Sequence, residues 1–206
     1  MLCPTFRFFS IVFLLSWIET AVFFTELTYG GINNSSLLAA EPATLTLFGN
    51  KDPYLIRYEY EAWRFVTPIF LHANIAHLLS NVIGQLMIGS QIENDIGSLR
   101  FLVLYLMSGI GGILFSAMCD NGQSCGASTS IYGLIGSYAA FLIINWSYLK
   151  NHTDRRCSII IYLIFALLLG VLIAAAVSQS NLTQHSMSMY LDTLVDLSLV
   201  LLSDYG

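Results

Sequence analysis

The sequence predicts an all-α fold: a polytopic bundle of membrane helices with five regular spans and an irregular sixth. Of its 206 residues, 56% are hydrophobic and only 10% are charged, whereas soluble domains carry about 25% charged residues. Five continuously apolar runs are each near the ~20 residues that a helix needs to cross a bilayer. These runs are 8–27, 67–91, 99–118, 127–146 and 158–177. Continuous rather than alternating apolarity argues against a membrane barrel.

The positive charges predict how the spans are oriented. Lys150, Arg155 and Arg156 cluster between the fourth and fifth runs, and Arg7 precedes the first. The positive-inside rule makes these ends cytosolic. The loops 28–66, 119–126 and 178–186 then face the outer side, and 28–66 is expected to associate with the membrane. We expect one membrane domain over 1–206, with the first run retained as a span.

The outer loops carry glycosylation triplets, at 33–35, 34–36 and 181–183. Such Asn-x-Ser/Thr triplets are acceptors only in proteins that enter the secretory pathway. The chain also lacks a long N-terminal presequence rich in Arg and Ser. We therefore expect an integral, multi-pass protein of the secretory pathway or cell surface rather than of mitochondria.

Polar side chains at membrane depth are costly and tend to mark function. The second run carries His72, His77 and Asn81, and the fourth begins with Ser128 among small residues. His77 and Asn81 are four residues apart and so share one helix face. A serine nucleophile needs a base and also donors aimed at the developing oxyanion. The Asn81 amide and the His77 ring suit the second task, which predicts one polar site open to the outer side.

The cysteines leave two alternatives open. Cys119 and Cys125 share the short outer loop and either form a disulfide or remain free thiols. No spacing of residues matches a four-ligand metal site. The sequence therefore predicts neither a metal site nor a cofactor.

Four short motifs surround the predicted polar site. They are Glu61-Ala62-Trp63-Arg64-Phe65-Val66-Thr67-Pro68, Phe70-Leu71-His72-Ala73-Asn74, His77-Leu78-Leu79-Ser80-Asn81 and Gly126-Ala127-Ser128-Thr129. After the polar residues of the second run come Gly89, Glu93, Gly97 and Arg100. Together these motifs resemble the rhomboid family of intramembrane serine proteases, and the resemblance is close over about 44–145.

The resemblance implies a role for each matching residue. Ser128 would be the nucleophile of a serine endopeptidase, and His77 and Asn81 would form the oxyanion site. Its substrates would be single-span membrane proteins, cleaved in the bilayer near the outer face, with no cofactor and no nucleic acid involved. The supporting residues would be His72, Gly126, Tyr132, Trp63 and Arg64.

The tail departs from the family pattern. An active rhomboid carries His-x2-Gly-x3-Gly in its sixth span, and this chain has no such motif. The segment 187–202 is short for a span and contains Asp192 and Asp196. Each central aspartate costs roughly 2.5 to 3.5 kcal/mol on insertion scales. The sixth span is therefore irregular as written.

Two explanations of the tail remain open. In the first, His185 is the catalytic base, although no glycine follows it at the family's spacing. In the second, the tail is read in a shifted frame. The codons of residues 192–200 would then permit His-Leu-Gly-Gly-Phe-Ile-Ser-Gly, which contains the missing pattern.

Three functions therefore compete. The first is an active rhomboid-type protease, and the second is a catalytically inactive rhomboid-like protein that binds membrane clients. The third is a small transporter that uses the face with His72, His77 and Asn81 as a polar path. Against the third, the sequence shows no paired half-repeats and no correspondingly broken helices.

Overall fold

The computed structural model describes residues 10–33, 37–165 and 167–168, and most of these residues are helical. This confirms the predicted all-α class. A hairpin of two-residue strands, β1 (Ile32–Asn33) and β2 (Ala39–Ala40), interrupts the helices. The helices are α1 (Ile11–Gly30), α2 (Pro42–Phe48), α3 (Pro53–Tyr58), α4 (Ile75–Ile96), α5 (Ser98–Cys119), α6 (Ser128–Ile144), α7 (Trp146–Leu149) and α8 over 153–165.

Among the described helices, α1 and α5 are long and apolar enough to cross a membrane, and α6 is a shorter apolar helix. Many large apolar side chains on these helices are exposed, among them Trp17, Phe115 and Ile144. Lipid is the solvent that suits such a surface.

The helix of the second apolar run begins at Ile75 and not at residue 67. Residues Thr67–Phe70 instead form a 3-10 turn, which accommodates Pro68 at a position where no backbone N–H is needed. Asn74 then caps α4, since its side chain accepts a hydrogen bond from the backbone N–H of His77 at 2.9 Å. Helix α8 begins at residue 153 rather than 158. The predicted segment 187–202 and His185 lie outside the described residues.

Helices α5 and α6 approach each other closely through small residues. A Cβ on Gly109 would collide with the Ser130 side chain, and a Cβ on Gly133 would collide with that of Ser108. Close backbone approach through small residues is the usual way in which membrane helices pack. Because Ser128 is the first residue of α6, the packing of α6 against α5 fixes the position of Ser128.

The buried carboxylate of Glu93, near the end of α4, binds the start of α1. Its Oε1 accepts from the N–H of Ile11 at 2.8 Å, and its Oε2 accepts from the N–H of Val12 at 3.0 Å. The Ser98 hydroxyl, at the start of α5, donates to Oε1 at 2.6 Å. Glu93 thus accepts hydrogen bonds from N–H groups in the first turn of α1, which have no partner within that helix. The dipole of α1 also favours a negative charge at this end.

We expect Glu93→Ala to lower the free energy of unfolding by about 2 kcal/mol, because three donors, of which the Val12 N–H is buried, lose a charged acceptor. Glu59 is exposed, so Glu59→Ala is the matched control and should change stability little. Thermal unfolding of the purified variants in detergent measures both effects. Equal melting temperatures for the two variants would show that Glu93 does not bind α1.

The loop between α2 and α3 contacts the loop before α6 through Lys51. Its backbone N–H donates to the Ser124 carbonyl at 2.8 Å, and its buried Nζ donates to the Ser116 hydroxyl at 2.8 Å. The same Nζ lies 3.5 Å from Oδ2 of Asp120. The Gly122 backbone N–H, together with Lys51, holds the pKa of Asp120 below its ordinary value. This contact fastens the segment before α6 to the segment after α2.

Candidate active site

His72, just before α4, and Asn81, in the first half of α4, form a buried pair. Nδ2 of Asn81 lies 3.1 Å from Nε2 of His72, and both residues are almost inaccessible to solvent. An amide N–H can only donate, so in this orientation Nε2 of His72 accepts and the ring proton lies on Nδ1. The His77 ring meets the His72 ring edge-on, with centroids 5.3 Å apart. His72 therefore orients both predicted oxyanion donors.

Gly126 brings the start of α6 against these donors. A Cβ at this position would lie 2.6 Å from Cε1 and 2.7 Å from Nε2 of His77, and 3.2 Å from Nδ2 of Asn81. Its φ of +118° belongs to the region that favours glycine. Its N–H donates to the Pro68 carbonyl at 2.7 Å. The absence of a side chain at Gly126 is what allows this approach.

Ser128 follows two residues later and is half-buried. The structure therefore brings together the predicted residues His72, His77, Asn81 and Gly126, with Ser128 at the adjoining helix start. Tyr132, one turn further along α6, is 60% exposed. The three histidines of the described ranges include His152, which lies beyond the other end of α6, with its ring centroid 4.7 Å from that of Tyr148. His185 lies outside the described residues.

Arg64 supports the segment that leads to α4. It is buried, and its Nη1 donates to the Asn50 carbonyl at 2.9 Å and lies 3.3 Å from the side-chain oxygen of Asn50. Its Nε donates to the Glu61 carboxylate at 2.5 Å. Trp63, its neighbour in the 3-10 turn Ala62–Phe65, is 54% exposed. Arg64 thus stabilises the turn Ala62–Phe65, while the side chain of Trp63 is exposed on the surface.

Cys119 and Cys125 carry free thiols in the structure. Burial raises the pKa of the Cys125 thiol to about 12, so this thiol is neutral at physiological pH and a poor nucleophile. Within the described ranges, no group of three or more His, Cys, Asp or Glu is arranged to hold a metal ion.

Sequence reasoning missed two features of this region. The first is the Asn74 cap, which an asparagine immediately before an apolar helical run could have revealed. The second is a buried cluster one turn below Asn81, in which Gln85 contacts Glu19 and Tyr105. The signal for Gln85 was its spacing of four residues from Asn81, but nothing local indicated its partners.

Comparison with known proteins identifies the family of this chain. The chain matches the model of the Rhomboid domain over residues 59–188. It is 34% identical to Rhomboid-like protease 2 of Toxoplasma gondii over 166 residues, which are 80% of this chain and 58% of that protein. It is 31% identical to RHOMBOID-like protein 1 of Arabidopsis thaliana over 153 residues, 74% of this chain and 39% of that protein.

RHOMBOID-like protein 5 of Arabidopsis thaliana is 34% identical over 150 residues, 71% of this chain and 48% of that protein. The chain thus spans between 39% and 58% of the length of these relatives. The family-model match covers more than half of the chain and includes the elements that carry His72, His77, Asn81 and Ser128. The chain therefore belongs to the rhomboid family, whose domain is a helical bundle embedded in the membrane.

Proposed function

We propose that this chain is an intramembrane serine endopeptidase that cleaves single-span membrane proteins near the outer face of the bilayer. The observation that carries the proposal is the contact of Gly126 with His77 and Asn81. This contact places the start of the helix with Ser128 beside two groups that donate hydrogen bonds. The name of the Toxoplasma relative, a rhomboid-like protease, supports the same activity.

The chemistry follows from these side chains. The Ser128 hydroxyl attacks the scissile carbonyl and forms a tetrahedral intermediate, whose oxyanion receives hydrogen bonds from His77 and Asn81. One such donor is worth roughly 10²–10³-fold in rate. Asn81 keeps one N–H for this purpose, since the other is held by His72.

The proton of the Ser128 hydroxyl needs a base. His72 and His77 are committed to the oxyanion side, and His152 lies beyond the far end of α6. This leaves His185, which the family match includes. We propose His185 as the base of the chain as written, with the frame-shifted tail as the alternative source of a histidine.

A second function is favoured by one observation. The family's His-x2-Gly-x3-Gly pattern does not occur in the sequence, and removing one member of a catalytic unit abolishes most of the activity. Without a base, the same fold would bind single-span clients and release them uncleaved. The glycosylation triplets at 33–36 and 181–183 support the proposal that either activity belongs to the secretory pathway or the cell surface.

A fluorophosphonate probe separates these two functions when it is applied to the full chain in lipid nanodiscs. A protease is expected to be labelled at Ser128 and to cleave a single-span substrate in the same membrane. Ser128→Ala should abolish both signals, whereas Ser137→Ala, a control further along α6, should abolish neither. Absence of labelling and cleavage, while an active rhomboid reacts in parallel, would refute the protease and leave the client binder.

A further inference from the structure

Glu19 is a fully buried carboxyl group in the middle of α1. It contacts two polar side chains, Gln85 and Tyr105, neither of which is a cation, and no basic residue pairs with it among the described residues. Charges at membrane depth are otherwise paired or face water. The protonation state of Glu19 must therefore follow from its hydrogen bonds.

These contacts form a closed cluster across three helices. Oε1 of Glu19 lies 2.8 Å from the Tyr105 hydroxyl, and its Oε2 lies 2.8 Å from Nε2 of Gln85. The Tyr105 hydroxyl also lies 2.9 Å from Oε1 of Gln85. Nε2 of Gln85 lies 2.8 Å from the Ser16 hydroxyl, which donates to the Val12 carbonyl at 2.9 Å.

The number of protons available for these contacts determines the charge of Glu19. The Tyr105 hydroxyl has one proton but faces two acceptor oxygens, one of Glu19 and one of Gln85. If it donates to Gln85, its contact with Glu19 requires a proton on the carboxyl group. Exchanging the nitrogen and oxygen of the Gln85 amide does not remove the need for this proton. The Gln85 oxygen would then face Oε2 of Glu19, and that contact would also require a proton on the carboxyl group. All of the contacts among Glu19, Gln85, Tyr105 and Ser16 can be hydrogen bonds only when Glu19 is a neutral acid.

The cluster also adjoins both helices of the candidate active site. Gln85 lies one turn after Asn81 on α4. Tyr105 lies one turn before Gly109 on α5, and Gly109 packs against Ser130, two residues beyond Ser128. A shift of α4 would move Asn81, a proposed oxyanion donor, and a shift of α6 would move Ser128, the proposed nucleophile.

We propose that Glu19 is a neutral carboxylic acid in the folded protein and a positioning residue, which acts through Gln85 and Tyr105 on the helices that carry Asn81 and Ser128. Its effect on catalysis rests on the proposed function. Its protonation and its effect on folding do not.

Infrared spectroscopy of the full chain in nanodiscs tests the protonation. At neutral pH, the difference between wild type and Glu19→Gln should contain the C=O stretch of a carboxylic acid. Tyr105→Phe should shift that band, since it removes a hydrogen-bond partner. Glu26→Gln is the matched control, because Glu26 is the other fully buried carboxyl of α1, and it should leave the Glu19 band in place. Carboxylate bands in the Glu19→Gln difference would overturn the proposal.

Unfolding and labelling test the positioning role. Glu19→Gln should keep the unfolding temperature, whereas Glu19→Leu should lower it by about 5 °C because buried partners are left without hydrogen bonds. Labelling of Ser128 should fall about tenfold or more in Glu19→Leu and recover in Glu19→Gln. A Glu19→Gln variant as damaged as Glu19→Leu would refute the neutral acid.

Wild-type labelling in Glu19→Leu would refute the positioning role. A wild-type chain that is never labelled would refute the proposed protease. In that case the infrared band and the unfolding temperatures would still decide the state of Glu19.

Discussion

Replacing Gly126 by alanine is expected to reduce labelling of Ser128 by a fluorophosphonate probe about 100-fold or more. The new Cβ would lie 2.6 Å from the His77 ring, so the ring must move away from the position where it donates to an oxyanion. Loss of one oxyanion donor costs roughly 10²–10³-fold in rate. The positive φ of Gly126 adds strain of about 1–3 kcal/mol.

The control lies on α6 itself. Nothing lies within 4 Å of a Cβ at Gly136, so Gly136→Ala should fold and be labelled like wild type. The melting temperature of each variant in detergent separates a displaced donor from a misfolded protein. A Gly126→Ala variant that is labelled at the wild-type rate would show that His77 takes no part in the reaction.

Arg64→Ala is expected to lower the free energy of unfolding by about 3 kcal/mol. The variant leaves the Asn50 carbonyl without its donor and the Glu61 carboxylate without its counter-ion. Arg64 is buried but Glu61 is partly exposed, so the loss comes mainly from the buried Asn50 groups that are left without their donor. Arg64→Lys should recover only part of the loss, because one ammonium group cannot reproduce the planar fork that bonds Asn50 and Glu61 together.

Arg57 provides the comparison for this variant. It lies in the last turn of α3 and is exposed, so Arg57→Ala should change stability by less than about 0.5 kcal/mol. Unfolding of both variants in the same detergent measures the difference. Similar melting temperatures for Arg64→Ala and Arg57→Ala would show that the Arg64 bonds do not hold the outer turn.

The helical class and the family could be predicted from the sequence, because both depend on local patterns. Apolar runs near the length of the bilayer predict helices, whatever their neighbours. The boundaries were less predictable: α4 begins at Ile75 because the Asn74 cap and the turn around Pro68 delay the helix. Apolarity alone places the start of the run at residue 67, since it does not distinguish a turn from a helix.

The candidate site was predicted as a set of residue types, while its geometry came from the fold. The sequence singled out Ser128, His77 and Asn81 from their polarity at membrane depth and their spacing. The backbone of Gly126 against His77 depends on φ and on the packing of two helices, which no local pattern encodes. The cysteine pair shows the same limit, because a short loop permits either a disulfide or the two free thiols that the structure has.

By itself, the sequence determined that this protein is a helical membrane protein of the rhomboid family, and it predicted a polar serine-containing site at the outer side. Those conclusions rest on composition, periodicity and short motifs, each of which involves residues close together in the chain. Only the tertiary structure decided that Glu19, Gln85 and Tyr105 meet, and that Glu93 binds the start of α1. Contacts between residues so far apart in the chain depend on how whole helices pack, which is a property of the folded bundle.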